Sequence, residues 1–153
     1  MAKASFIRDE KFEWTLSTVG KTYPEIVETA LRAGAAVIAG QMKRNLESIL
    51  SPWATGQLAA AFGITPVGQN IAGDWNVHIG FDGYQEPLHV PFQLIARTFE
   101  SGAIRDGKQW RAATPFAKPA VKSKQAEAER AMKEAAEGAI TKITSQDRKL
   151  KNL

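Results

Sequence analysis

Two proline-marked junctions divide this chain, and each stands at one end of a long run with helical spacing. Pro52-Trp53-Ala54-Thr55-Gly56-Gln57-Leu58 closes the first run, and Thr114-Pro115-Phe116-Ala117-Lys118-Pro119-Ala120 opens the second. Proline ends a helix because it has no N–H to donate and clashes with the preceding turn, yet it is well tolerated in a first turn. The middle of the chain is patterned for strands and turns. The expected fold class is therefore α+β: two long helices packed on a small antiparallel β-sheet, preceded by an N-terminal arm.

The first helix is expected from Pro24, with Thr22 or Tyr23 near its cap, to just before Pro52. Val27, Ala30, Leu31, Gly34, Val37, Ile38, Met42, Asn45 and Ile49 follow the spacing of one buried face, with Asn45 its polar exception. The last helix is expected from about Pro115 to about Ile143, with Val121, Ala128, Met132, Ala135, Ala139 and Ile143 as a narrow apolar stripe. Thr114 suits its cap and Pro115 its first position, which puts Phe116 in the opening turn.

Between them, Leu58 to Ala61 suits a helical turn, and Phe62, Ile64 and Val67 read as a strand. Gly68 to Gly73 suits a hairpin connection. Trp75, Val77, Ile79 and Phe81 then alternate with Asn76, His78 and Gly80, the pattern of a half-buried strand. Residues 82–91 read as a loop held by Pro87 and Pro91. Phe92, Ile95, Ala96 and Phe99 have helical spacing that stops at Gly102, and the polar, basic stretch 103–114 reads as a mobile loop. Residues 1–22 form the expected arm, 23–145 a single domain, and 146–153 a frayed basic tail. In the arm Phe12, Trp14 and Leu16 alternate with Glu13 and Thr15, the signature of a short strand whose apolar groups need cover from this chain or a neighbour.

Little here suggests catalysis. With no cysteine and two histidines, His78 and His89, the chain offers no thiol nucleophile and no evident metal cluster. It carries no G-x-S-x-G nucleophile turn, phosphate-binding P-loop or G-x-G-x-x-G fingerprint. The acids outside helices (Asp74, Asp82, Glu86, Asp106) sit beside turn residues. No enzyme activity and no cofactor are expected. No run approaches the roughly 20 apolar residues of a membrane span, and the first residues mix charges without an apolar core, so neither a membrane partner nor a signal peptide is expected.

The net charge of +4 is unevenly placed. Asp74, Asp82, Glu86 and Glu100 face only Arg97 between residues 51 and 104, whereas Arg105, Lys108, Arg111, Lys118, Lys122 and Lys124 face only Asp106 between 105 and 124. Such a division suits head-to-tail contacts between identical subunits, a solvated charged surface, or a polyanion gripped with help from Trp110. The last option defines an alternative function, non-specific nucleic-acid binding by the basic 105–124 segment.

Taken in order, these motifs resemble a family: the tail-completion, or neck, proteins that join head to tail in long-tailed bacteriophages. The resemblance covers about residues 24–143. A long helix leads to Pro52-x-x-Thr55-Gly56-x-Leu58, a hairpin follows, then Phe99-Glu100-Ser101-Gly102, then Pro115-Phe116-x-x-Pro119-Ala120. Phe92, Phe99 and Ala103 depart from the tyrosines and threonine common in that pattern, and residues 1–20 lie outside it. The resemblance implies a virion protein made in the host cytoplasm. It would form a homo-oligomeric ring, usually of six subunits, between tail-tube or tail-terminator proteins and the head connector, with double-stranded DNA passing through without sequence specificity. Trp14, Pro52, Thr55, Gly56, Leu58, Glu100, Phe116 and Pro119 are its candidate subunit or partner contacts. Arg105, Lys108, Arg111, Lys118, Lys122 and Lys124 are candidates for the DNA channel or an acidic partner. Pro52 to Leu58 serves equally as a helix-to-strand connection, whereas residues such as Phe116 and Pro119 more often anchor their own helix to the core than a partner.

Overall fold

The computed structural model describes residues 17, 19–52 and 54–151. Trp53 and the arm's Phe12, Trp14 and Leu16 lie outside the described residues, so the strand expected in the arm does too. Ser17 and residues 19–21 are helical.

The chain is an α+β protein built on a long antiparallel pair of helices. Helix α1 spans Tyr23–Ile49, 27 residues or about 40 Å, with Pro24 in its first turn as expected. It ends at Leu50, whose extended backbone still donates its N–H to the Leu46 carbonyl. The partner is the C-terminal helix, Ala117–Lys151, 35 residues and about 52 Å long. Three pairs of neighbours give the direction. Thr22 and Glu25 line a cleft with Lys142 and Gln146, Gly34 lies against Ala128 and Met132, and Asn45 meets Phe116.

The contact face of α1 differs from the expected one. Ala30, Gly34 and Met42 are buried as predicted, but Ile26, Ala35, Ala39 and Leu46 complete the seam, and Val27 and Leu31 are only half-buried. Both sets satisfy helical spacing, and the partner helix selects between them. Gly34 shows the closeness of the packing: a Cβ there would lie 2.5 Å from Met132 Cγ. On the C-terminal helix, Ala120 and Ala128 are buried while the predicted Val121 is 44% exposed, again a small rotation of the stripe. That helix also continues beyond Ile143, so the tail expected at 146–153 is helical as far as Lys151. No proline follows Pro119 to stop it.

Between these helices come a single turn, α2 (Gln57–Ala60), and strands β1 (Phe62–Ile64), β2 (Gly68–Gln69), β3 (Trp75–Asn76) and β4 (Ile79–Phe81). Strand β1 pairs antiparallel with β4, and β2 with β3. The single strand expected over 75–81 is thus broken at Val77 and His78. Three residues, Thr65 to Val67, lie opposite these two, so the register shifts between the paired segments, and Pro66 has no N–H to donate to a ladder. Thr65 bridges the gap: its N–H donates to the His78 carbonyl at 2.8 Å and its Oγ1 accepts from the His78 N–H at 2.9 Å.

Residues 82–91, expected as a loop, contain the paired strands β5 (Tyr84–Gln85) and β6 (Val90–Pro91). Helix α3 (Phe92–Ser101) follows without a break. The stretch expected as a mobile loop is a hairpin of β7 (Ala103–Arg105) and β8 (Lys108–Arg111). Its turn is Asp106-Gly107, with φ of 51° and 73°. Asp-Gly is a strong short-range hairpin signal because both turn positions need positive φ. The C-terminal helix is α4.

The core lies where α1, α3 and α4 meet. Met42, Leu46, Ala96, Phe99, Phe116 and Ala120 form its buried cluster, flanked by Leu58, Phe62, Ile79 and Phe81. It occupies the end of the helix pair where α1 finishes and α4 begins.

Candidate functional site

The two proline-marked junctions arrive at this same end of the molecule, and Glu100 organises the second. Its carboxylate accepts backbone N–H bonds from Phe116 at 2.9 Å, Ala117 at 3.0 Å and Lys118 at 2.9 Å. These are the cap and first two residues of α4, whose N–H groups have no partner inside the helix. The next residue, Pro119, has no N–H. Every orphan donor of the first turn is therefore satisfied or absent, and a carboxylate sits where the helix dipole favours negative charge.

This corrects the expected start of α4. Pro115 precedes the helix and is not its first residue, and Glu100 takes the capping role given to Thr114. The Thr114 N–H instead donates to the Phe99 carbonyl at 2.7 Å. Phe116 is tied on its other side as well: its carbonyl accepts from Asn45 Nδ2 at 3.0 Å, which accounts for the polar exception on the α1 face.

Partial burial alone would push the Glu100 carboxyl up. The N–H bonds from Ala117, Lys118 and Phe116, with the Lys118 ammonium, outweigh it and hold the pKa below the ordinary glutamate value. A depressed folded-state pKa gives stability that is present above the unfolded pKa and lost as pH falls through the folded one. Glu100→Gln is expected to cost about 1–2 kcal/mol at neutral pH, the scale of a lost helix cap. The deficit should shrink as the wild type is acidified below the glutamate range. Urea unfolding of both proteins across that range checks it, and a pH-independent difference would count against the charged cap.

Phe116 was a candidate partner contact, but its side chain is 2% exposed and packs inside its own chain. It meets Phe81 edge to face at 5.9 Å, and Phe81 meets Phe62 at 5.3 Å. Pro119 is exposed on the first turn of α4. At the other junction Pro52, Thr55 and Gly56 are exposed and Leu58 packs against the core. Gly56 precedes α2 at φ 77°, a backbone that favours glycine. Thr55, Gly56 and Leu58 share a cleft of about 260 Å³ with Leu50, Phe92, Ile95 and Phe99. Trp14 lies outside the described residues.

The basic candidates divide between two elements. Arg105, Lys108 and Arg111 stand on the β7–β8 hairpin, while Lys118 and Lys122 are exposed on α4. Lys124 is partly covered and paired with Glu127. Arg105 lies 3.8 Å from Asp106. The Arg111 guanidinium sits 4.0 Å over the Phe99 ring, which ties the hairpin back to α3.

Some organising residues carried no clear sequence signal. Gln57 binds the Glu86 backbone with both side-chain atoms, at 3.2 and 3.4 Å, linking α2 to the β5–β6 turn. His89 stacks on Tyr84 at 4.3 Å and contacts Glu86 at 3.1 Å, all at the surface. Among the described residues, no group of three or more histidines, cysteines or acids could hold a metal ion, and no helix is long and apolar enough to cross a membrane. No protein-family model, curated protein or solved structure matched this chain.

Proposed function

We propose that this chain is a non-enzymatic structural subunit of a ring at the head–tail junction of a long-tailed bacteriophage. In that role it joins the tail tube or terminator to the head connector and leaves a central path for DNA. The observation that carries the reading is convergence. Phe99-Glu100-Ser101-Gly102 and Thr114 to Ala120, separate motifs of the family resemblance, lock together through the Glu100 carboxylate. The Thr55-Gly56 turn lies beside the same helix, α3. The motifs therefore act as one structural joint, as expected when their order reflects a shared architecture.

The work of such a subunit is geometric. The α1–α4 pair supplies a stiff body, and the ribbons extend exposed polar and apolar groups. Scattered cations tempered by acids suit a passage through which phosphates slide without being gripped. The test is the mass of the purified protein, alone and mixed with tail-tube and connector proteins, followed by imaging. Rings with an opening that passes duplex DNA are expected. A chain that stays monomeric with every structural partner would remove the reading.

One observation favours a second reading. Trp110 is 69% exposed on a hairpin that also carries Arg105, Lys108 and Arg111, a combination suited to stacking and phosphate contact. Under that reading the monomer binds DNA with steep salt dependence.

A further inference from the structure

The fold leaves two ribbons, of opposite charge, at opposite ends of α3. Strand β6 runs directly into the first residue of α3, and β7 begins after a single intervening residue, Gly102, at the other end. The ten residues of α3 separate those ends by about 15 Å. The β5–β6 ribbon and the turn before it carry Asp82 and Glu86 with no lysine or arginine over residues 82–91. They also expose Tyr84 and, at 74%, Leu88. The β7–β8 hairpin carries Arg105, Lys108 and Arg111 and exposes Ile104 at 78% with Trp110.

Among the described residues each ribbon has two strands, which leaves unpaired strand edges. All four residues of β8 are exposed. Such a ribbon is marginal alone and gains from cover. Each surface thus combines large exposed apolar groups with one dominant sign of charge, and the two signs are complementary.

We infer that the β7–β8 hairpin docks on the β5–β6 ribbon of a second copy of this chain. The contact joins unlike patches, so it is head-to-tail and can propagate or close into a ring. The inference rests on the ring reading and names the surfaces that would make the ring. Arg105 and Lys108 approach Asp82 and Glu86, and Trp110 and Ile104 cover Leu88 and Tyr84. Apolar contact excludes water at the centre, while the charges set partner and direction.

Charge exchange tests it. Arg105→Glu with Lys108→Glu in one chain, or Asp82→Lys with Glu86→Lys in another, places like charges across the contact. Each double variant alone is expected to self-associate at least roughly tenfold more weakly, because like-charge juxtaposition is costly. Mixed one to one, the two variants restore complementarity at both contacts and should assemble as wild type does, with alternating subunits. Leu88→Ala and Trp110→Ala, at exposed positions, should weaken association without shifting the thermal midpoint of the monomer.

Sedimentation over a concentration series reads the result. The inference is overturned if wild type assembles and the double variants assemble equally well, or if mixing does not rescue them. A wild-type chain that stays monomeric alone also overturns it, while the neck reading still stands if rings appear with tail-tube or connector proteins. Salt-dependent binding of duplex DNA that is lost in the hairpin variant, with self-association unchanged, would assign the hairpin to nucleic acid and overturn it too.

Discussion

Phe116→Ala should destabilise the protein by about 3–5 kcal/mol, the range for deleting a buried phenylalanine. The ring is 2% exposed and belongs to the cluster where α1, α3 and α4 meet. Its edge-to-face contact with Phe81 also couples that cluster to β4. The surroundings have little freedom to collapse into the cavity. The Phe116 backbone is held by Glu100 on one side and Asn45 on the other. A loss of this size should lower the thermal midpoint by roughly 6–20 °C in a chain of this length. Phe116→Leu keeps much of the volume and should lose markedly less. Circular dichroism melts of the three proteins provide the check. A small loss in the alanine variant would mean the ring is not a core residue, and would reopen a partner-facing role.

The second large effect is expected at Gly102, which links α3 to β7. Its φ of 75° and ψ of −179° lie in a region that is essentially glycine-only. Space is also lacking: a Cβ there would fall 2.7 Å from the Arg111 carbonyl oxygen and 3.0 Å from the Ala113 nitrogen. Both obstacles are backbone, so no side chain can swing aside. Gly102→Ala should cost about 3 kcal/mol, combining backbone strain with overpacking. The damage should spread in a particular direction. Glu100, two residues earlier, caps α4, so faster amide exchange is expected at Phe116, Ala117 and Lys118. Equal exchange at those amides would separate the Gly102 turn from the cap.

By contrast, Gly56 at φ 77° has open space around it, and only strain opposes a side chain there. Gly56→Ala should therefore cost about 1–2 kcal/mol in urea unfolding, less than the change at Gly102. The comparison isolates crowding from conformation.

Much of this architecture was legible in the chain. Pro24 and Pro52 bracket α1 because proline's missing N–H is harmless in a first turn and disruptive in a helix interior. Helical spacing carried Phe92, Ala96 and Phe99 into the core face of α3. The Asp106-Gly107 turn was equally readable. Its flanking strands lacked alternating apolar residues, however, and the basic composition pointed to a loop instead. The broken strand at Val77 and His78 needed the register with Thr65 and Pro66, which no single strand encodes.

The candidate site divides along the same line. Thr114 and Pro115 looked like the start of a helix because local capping chemistry allows it. The structure instead satisfies the α4 amides with a carboxylate sixteen to eighteen residues earlier in sequence. Local propensity and 3.6-residue periodicity act over a few residues, so the chain by itself determined which segments are helical and which residue types end them. Only the tertiary structure decided which of two adjacent helix faces is buried and that Phe116 turns inward. It also decided that Glu100 holds the start of α4, because each of those outcomes depends on a partner distant in the chain.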